Sequence, residues 1–302
     1  MHKARIAAAV AEGRILVSDG AWGSLLYSEG LPQGHCPELW CVERPEIVRG
    51  IASDYRSAGA DMVETNSFGG SSIRLQGHGL AARAAELNEA AARLSREAVG
   101  DSAWVIASMG PTGKMLLTGD VSEAELFDAF AVQAESLERG GADALCIETM
   151  SDMQEAGIAI RAAKEASRLE ILATFTFEKT VHGYYRSMMG LSPEDAAAGA
   201  LAAGADVIGT NCGNGFAGMI DIVTVMRAAA PGVPILVQAN AGLPLTRDGV
   251  IVYPETPEFM ASLVPALLDA GANVVGGCCG TTPAHIAAIR RAVDSYLTSH
   301  RA

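Results

Sequence analysis

The chain has 302 residues, with 22 Lys+Arg against 35 Asp+Glu and a net charge of −13 at pH 7. Apolar residues make up 49% and charged residues 19%, the composition of a globular rather than a disordered chain. The acidic balance argues against a nucleic-acid footprint and against docking on anionic membranes, and no apolar run reaches the roughly 18 residues of a membrane span.

Residues 1–13 begin weakly basic and turn Ala-rich, but Glu12 and Arg14 follow and no A-x-A cleavage pattern stands out. The stretch reads as a short surface helix, not a signal peptide, which places the chain in the cytoplasm, where thiols stay reduced. Beyond it, one small motif recurs where a helix hands over to a strand: Ala58-Gly59-Ala60-Asp61, Gly140-Gly141-Ala142-Asp143, Ala203-Gly204-Ala205-Asp206 and Ala270-Gly271-Ala272-Asn273. Glycine supplies the left-handed residue that ends a helix, and the apolar run behind it reads as a strand buried on both faces.

Filling the gaps gives eight predicted strands, at 15–20, 61–66, 104–110, 143–149, 171–177, 206–212, 235–240 and 273–279. A helical stretch follows each, among them 45–58, 123–139, 193–203 and 283–296; Pro at the first turn of three of these is a helix-start signal. Eight βα units of about 38 residues suit a single (β/α)8 TIM barrel over residues 1–302. The alternative is an open doubly wound sheet; the first strand lacks the G-x-G-x-x-G that such a sheet carries when it binds a dinucleotide.

In a barrel of this kind, chemistry gathers at the C-terminal ends of the strands. Polar residues recur there: Asp19-Gly20 on the first strand, Glu64-Thr65-Asn66 on the second, Glu148-Thr149 on the fourth, Asn211-Cys212 on the sixth, Asn240 on the seventh and Cys278-Cys279 on the eighth. One such residue is accounted for by a cap or a loop hydrogen bond. Six sets at the same end point to a site.

Of six cysteines, Cys146 lies mid-strand as a packed residue, and Cys36 and Cys41 lie on a loop with Pro37 and Trp40 without a chemical pattern. Gly276-Gly277-Cys278-Cys279-Gly280 differs. Neighbouring strand residues point to opposite faces, so two sulfurs reach one point only where flexible glycines let the backbone bend. Cys212 stands two strands away. Three sulfurs with one open position describe a catalytic zinc site at the C-terminal ends of the strands. Zinc with three thiolates carries one net negative charge and is a poor generator of hydroxide. It suits a fourth thiolate, converting a substrate thiol of free pKa ~8.5 into its nucleophilic anion. The reaction class is attack by that thiolate on an electrophile, most simply a methyl group.

These residues lie in motifs that together resemble the homocysteine S-methyltransferases, the family of betaine–homocysteine methyltransferase and of the homocysteine-binding barrel of cobalamin-dependent methionine synthase. The motifs are Asp19-Gly20-Ala21-Trp22-Gly23-Ser24, Glu64-Thr65-Asn66-Ser67-Phe68-Gly69-Gly70, Gly209-Thr210-Asn211-Cys212-Gly213, Asn240-Ala241-Gly242-Leu243-Pro244 and Gly276-Gly277-Cys278-Cys279-Gly280-Thr281-Thr282-Pro283.

The resemblance implies that Cys212, Cys278 and Cys279 ligate Zn2+. It also implies that Asp19 and Glu148 receive the homocysteine ammonium while backbone amides around Gly20, Ala21 and Trp22 receive its carboxylate. Glu64, Asn66, Asn211 and Asn240 would orient ligands or loops around them. Segments 65–70, 110–114 and 240–244 look closest to the methionine-synthase branch, which implies a methylcobalamin donor carried on a partner protein. Segment 178–190, with Tyr184, Tyr185, Arg186, Met188 and Met189, departs from the Ser/Thr-rich stretch of that branch. That departure leaves open a sulfonium or betaine donor or another thiol acceptor. A non-catalytic zinc or redox-sensing barrel is the remaining alternative.

Overall fold

A computed structural model describes residues 4–247 and 250–300 of the chain. Eight parallel strands form one sheet: β1 (Leu16–Val17), β2 (Met62–Glu64), β3 (Trp104–Met109), β4 (Ala144–Met150), β5 (Glu170–Phe175), β6 (Val207–Asn211), β7 (Ile235–Ala239) and β8 (Val274–Gly277). They pair in the order β1-β8-β7-β6-β5-β4-β3-β2, and a bridge from Ser18 to Met62 joins the last strand to the first. The sheet is therefore a closed barrel, not the open doubly wound alternative. Every predicted strand is present; most are shorter than predicted, while β4 runs one residue further, to Met150, and β5 starts one residue earlier, at Glu170.

The eight long helices, Pro45–Ser57, Ala84–Val99, Glu123–Arg139, Met153–Ala166, Pro193–Ala203, Phe216–Ala229, Pro257–Asp269 and Pro283–Ser299, each follow one strand. Their starts are written locally. Pro stands at the first turn of four, and Ser122, Asp152, Ser192 and Thr256 each accept a backbone N–H of the turn they open. Among the described residues, no helix is long and apolar enough to cross a membrane.

The recurrent helix-to-strand motif has a second purpose that its spelling does not reveal. Asp61, Asp143, Asp206 and Asn273 stand just before the even-numbered strands. Each accepts a backbone N–H from the start of the adjacent odd-numbered strand: Val17 at 3.0 Å, Val105 at 2.8 Å, Ile171 at 2.9 Å and Ile235 at 3.0 Å. Each also takes a cation from the helix packed on that odd strand: Arg290, Arg96, Lys164 and Arg227 in turn. The preceding glycines make room. Gly59 and Gly271 have φ of +100° and +113°, and a Cβ on either would fall 2.7 Å from the arginine side chain. Four such clips set the strand register around the closed end of the barrel.

Inside that end, Leu16, Met62, Ile106, Cys146, Leu172 and Val274 pack as one apolar cluster together with Ile6 and Ala9 of helix Ile6–Ala11. Residues 1–3 lie outside the described part. The helix is a plug and not the surface element expected from its composition. Ile6 and Ala9 are three residues apart on one helical face, and six residues are too few to show that face as a pattern. The carboxylate of Glu170 fixes the plug by accepting the N–H groups of Ile6 at 2.6 Å and Ala7 at 2.8 Å.

Candidate active site

At the opposite end the barrel opens into a cavity of about 460 Å³. Cys212 and Thr149, at the ends of β6 and β4, both have φ of +58°; among the described residues they are the two non-glycine positions in the left-handed region. Such backbone strain concentrates at functional sites. It persists here because long-range bonds hold it: Cys212 N donates to Gln238 O at 3.0 Å, and Thr149 N donates to Asn211 Oδ1 at 2.8 Å.

After β8 the chain leaves the ladder. Gly277 N bonds Asp19 O at 2.8 Å, Cys278 N bonds Ala239 O at 2.7 Å, and Cys279 O accepts Ala241 N at 2.9 Å. The bend brings both cysteines to the same point as Cys212. The three sulfurs lie within 4.8 Å of one another, with Cys212 and Cys279 at 3.9 Å, and none forms a disulfide. Zinc–sulfur bonds of about 2.3 Å at tetrahedral angles place sulfurs ~3.8 Å apart, so the set fits zinc. The donors are also poised for a cation. The Cys278 and Cys279 thiols hydrogen-bond the Cys212 sulfur and pull its pKa down to about 3, while Cys278 is pushed up and Cys279 rises to about 11.

Beside the sulfurs stand three buried carboxylates. Burial raises Asp19 to about 7 and Glu148 to about 7, and pushes Glu64 well up with Glu148 and Asp19 as charged neighbours. Glu148 accepts the Ser108 hydroxyl on one oxygen and Asn211 Nδ2 at 3.1 Å on the other. Glu64 accepts Gln238 Nε2 at 2.9 Å. Asp19 Oδ2 accepts the Trp22 indole N–H at 3.0 Å and Glu64 N at 2.7 Å. These bonds come from neutral donors, and among the described residues no lysine or arginine pairs with any of the three acids.

Glu64 and Glu148 line the cavity, while Asp19 lies behind them and holds Trp22 and the end of β2 in place. Gly20, Ala21 and Trp22 line the cavity as expected, although the Ala21 amide is engaged by Thr281 Oγ1 at 3.1 Å. Asn211 orients Glu148 and Thr149. Asn240 leaves its Oδ1 buried without a partner among the described residues. Asn66 faces the cavity but secures the loop beneath it, donating to Pro37 O at 2.7 Å. Cys36 and Cys41 are buried under that loop, away from the other three sulfurs, and Cys146 is in the barrel interior.

Ser108 and Gln238, which hold Glu148 and Glu64, were missed in the sequence although each carries a signal, a polar side chain inside an otherwise apolar strand. Segment 178–190 forms a short hairpin, Glu178–Lys179 with Tyr185–Arg186, that stands outside the cavity lining.

A profile of the homocysteine S-methyltransferase family matches residues 16–293. Methionine synthase of Mycobacterium tuberculosis is 32% identical over 306 residues, covering 95% of this chain and 25% of that protein. That of Mycobacterium leprae is 32% identical over 298 residues, covering 93% and 24%. The chain thus spans about a quarter of the length of these relatives. Crystal structures of the homocysteine methyltransferase MmuM from Escherichia coli superpose with TM-scores of 0.77 (metallated form, 24% identity) and 0.75 (oxidized form, 25% identity). Each alignment covers 94% of this chain and 98% of the other. With the profile running through every strand, the chain belongs to the homocysteine S-methyltransferase family.

Proposed function

We propose that the barrel acts as one homocysteine-binding unit that methylates homocysteine to methionine, with Cys212, Cys278 and Cys279 as zinc ligands. The observation that carries this reading is the triangle of three sulfurs, within 4.8 Å of one another, at the wall of a cavity whose acids pair with no lysine or arginine among the described residues. When bound, zinc supplies the positive charge that favours the thiolate form of an incoming thiol.

The chain's own groups do the rest. Glu148 and Glu64 bind the substrate ammonium, and ionise as they do so. Asp19 supports them through Glu64 N and the Trp22 indole. The turn at Gly20, Ala21 and Trp22 faces the carboxylate end. Fixing both ends of the amino acid aims its sulfur at the cysteine triangle, which converts the transfer into an oriented, near-unimolecular event. The substrate thiol releases its proton on binding. Its sulfur pair then forms the new S–CH3 bond as the donor–CH3 bond breaks, and the donor leaves with that electron pair.

For the donor, we favour a methylated corrinoid carried on a partner protein. Exposed apolar residues crown the loops around the mouth, with Leu117 82%, Met188 86% and Val181 97% accessible, a surface that suits a protein more than a small solute. A small sulfonium or betaine donor is the second reading, favoured by a cavity roomier than one short amino acid needs.

The test is methyl transfer to homocysteine with S-methylmethionine, betaine and methylcobalamin offered separately, read as methionine by mass, alongside zinc content. About one zinc per chain and methionine from at least one donor are expected. A zinc-free, fully active preparation would remove the reading, and inertness of homocysteine beside an active second thiol would redirect it to another acceptor.

A further inference from the structure

Ser108 stands near the end of β3, where that strand has run past its neighbour. β2 ends at Glu64, which registers with Ile106, two residues before Ser108. Side chains from the segment after β2 take over the missing ladder. Ser108 N donates to Thr65 Oγ1 at 3.1 Å, and Ser67 Oγ donates to Ser108 O at 2.7 Å. Ser67 has one hydroxyl hydrogen and spends it on that carbonyl, so the 2.6 Å contact between the two hydroxyls runs from Thr65 to Ser67. The circuit closes on the residue where it began, passing from the Ser108 amide through two hydroxyls to the Ser108 carbonyl. Gln133 of helix Glu123–Arg139 fixes it from outside, donating to Ser67 O at 2.9 Å.

This clamp decides what the Ser108 side chain does. Alternate strand residues share a face, so Ser108 and Glu148 stand one layer above Ile106 and Cys146 of the barrel interior, toward the mouth. The hydroxyls of Thr65 and Ser67 are engaged in the circuit, and among the described residues Glu148 is the one partner of the Ser108 hydroxyl, which donates to its Oε1. Asn211 Nδ2 donates to Glu148 Oε2 at 3.1 Å. Asn211 is itself held, its Oδ1 accepting Thr149 N and Thr174 Oγ1 at 2.8 Å each. Each oxygen of Glu148 therefore carries one fixed donor. Thr65, Ser67, Ser108 and Glu148 all line the cavity.

We propose that Ser108 is a positioning residue that makes the site selective for thiols bearing an ammonium group: held by Thr65 and Ser67, its hydroxyl fixes the plane of Glu148 and stabilises the carboxylate when that group arrives. The proposal rests on the reading of Glu148 as an ammonium partner. A carboxylate taken out of water needs hydrogen bonds to stay ionised, and a bond to a charged acceptor is roughly twice as strong as a neutral one. A donor already in place costs no reordering when the ligand binds. A thiol without the ammonium gives Glu148 nothing to pair with and gains nothing from the hydroxyl.

The test measures the affinity of zinc-loaded wild type and S108A for homocysteine and for 4-sulfanylbutanoate, the same chain without the amine, by titration calorimetry. S108A keeps the backbone circuit, which uses only the amide and carbonyl of residue 108. Thermal unfolding and zinc content check that fold and metal corner are intact. Expected are a wild type that prefers homocysteine and an S108A in which homocysteine weakens by about tenfold while the amine-free thiol changes by less than about twofold. Equal weakening of both thiols, or of neither, overturns the proposal, and so does loss of zinc from S108A, since the hydroxyl would then support the mouth as a whole. T65V, which opens the circuit, should show the same selective loss and decides the question should S108A fail to fold; its absence there overturns the proposal. A wild type that binds the two thiols alike, or neither, removes the ammonium reading itself and this proposal with it.

Discussion

At the closed end of the barrel, Cys146 packs among Leu16, Ile106 and Leu172 beneath the plug formed by Ile6 and Ala9. At the open end, Cys212 stands on a strained backbone beside two further thiols and three acids. Burial pushes the Cys146 thiol well up, whereas hydrogen bonds from Cys278 and Cys279 pull Cys212 down. Both cysteines end up in one barrel with opposite character, so burial alone does not make a thiol reactive; the donors around it do. Stability is built where side chains are apolar and backbone ends are clipped. The mouth carries the groups that cost stability until a ligand arrives.

The sharpest way to break this contrast is Cys278→Ala, which should abolish both zinc retention and methyl transfer. Metal analysis and a methionine assay read it, and a variant that keeps both would dissolve the distinction between the two ends.

The acids of the mouth come next. Asp19 has a folded pKa of about 7 against an ordinary value of 3.8, and Glu148 about 7 against 4.5. A raised folded pKa means that the native state holds the proton more tightly than the unfolded chain. Their contribution to stability is therefore full below pH ~4 and is lost as pH rises through ~7, on the order of a few kcal/mol. Urea midpoints of the substrate-free protein should fall from pH 5 to pH 8, and fall less in Asp19→Asn; equal slopes in the two proteins would contradict it.

Ile6→Ala should loosen the plug and lower stability by about 2–4 kcal/mol while leaving the KM for homocysteine unchanged. A changed KM with intact stability would show that the two ends are not separable in this way. Glu148→Gln acts in the opposite sense. It should weaken homocysteine binding roughly 10–100-fold, the worth of a charge-assisted hydrogen bond of about 1.5–3 kcal/mol, without destabilising the free protein. Calorimetric titration against homocysteine measures it. Smallest of all, Cys146→Ala should cost about 1 kcal/mol or a little more and leave zinc and turnover untouched.

Much of this was legible from residue order. Apolar runs marked all eight strands, Pro marked three helix starts, and glycine marked where four helices returned to the barrel. Those signals are local: they depend on side-chain period, caps and φ within a few residues. The cluster of Cys212, Cys278 and Cys279 was legible too, because thiols flanked by glycine at strand ends have no packing explanation. The plug was not, since six residues cannot display a helical face, and neither was the packing of Tyr253 on Gly280, in a segment held by bonds running through Ala241, Glu255 and His285.

By itself, then, the amino-acid order determined which segments become strands and helices, that they alternate eight times, and which residue types stand at the strand ends. Closure decided the rest. Whether Asp19 or Glu64 faces the cavity, and how the chain bends after Gly277 so that two neighbouring sulfurs turn to a third 66 residues away, are settled by contacts between distant segments. Those contacts exist only once the first strand meets the second and the eighth, and no local pattern can encode a distance across a ring that has yet to close.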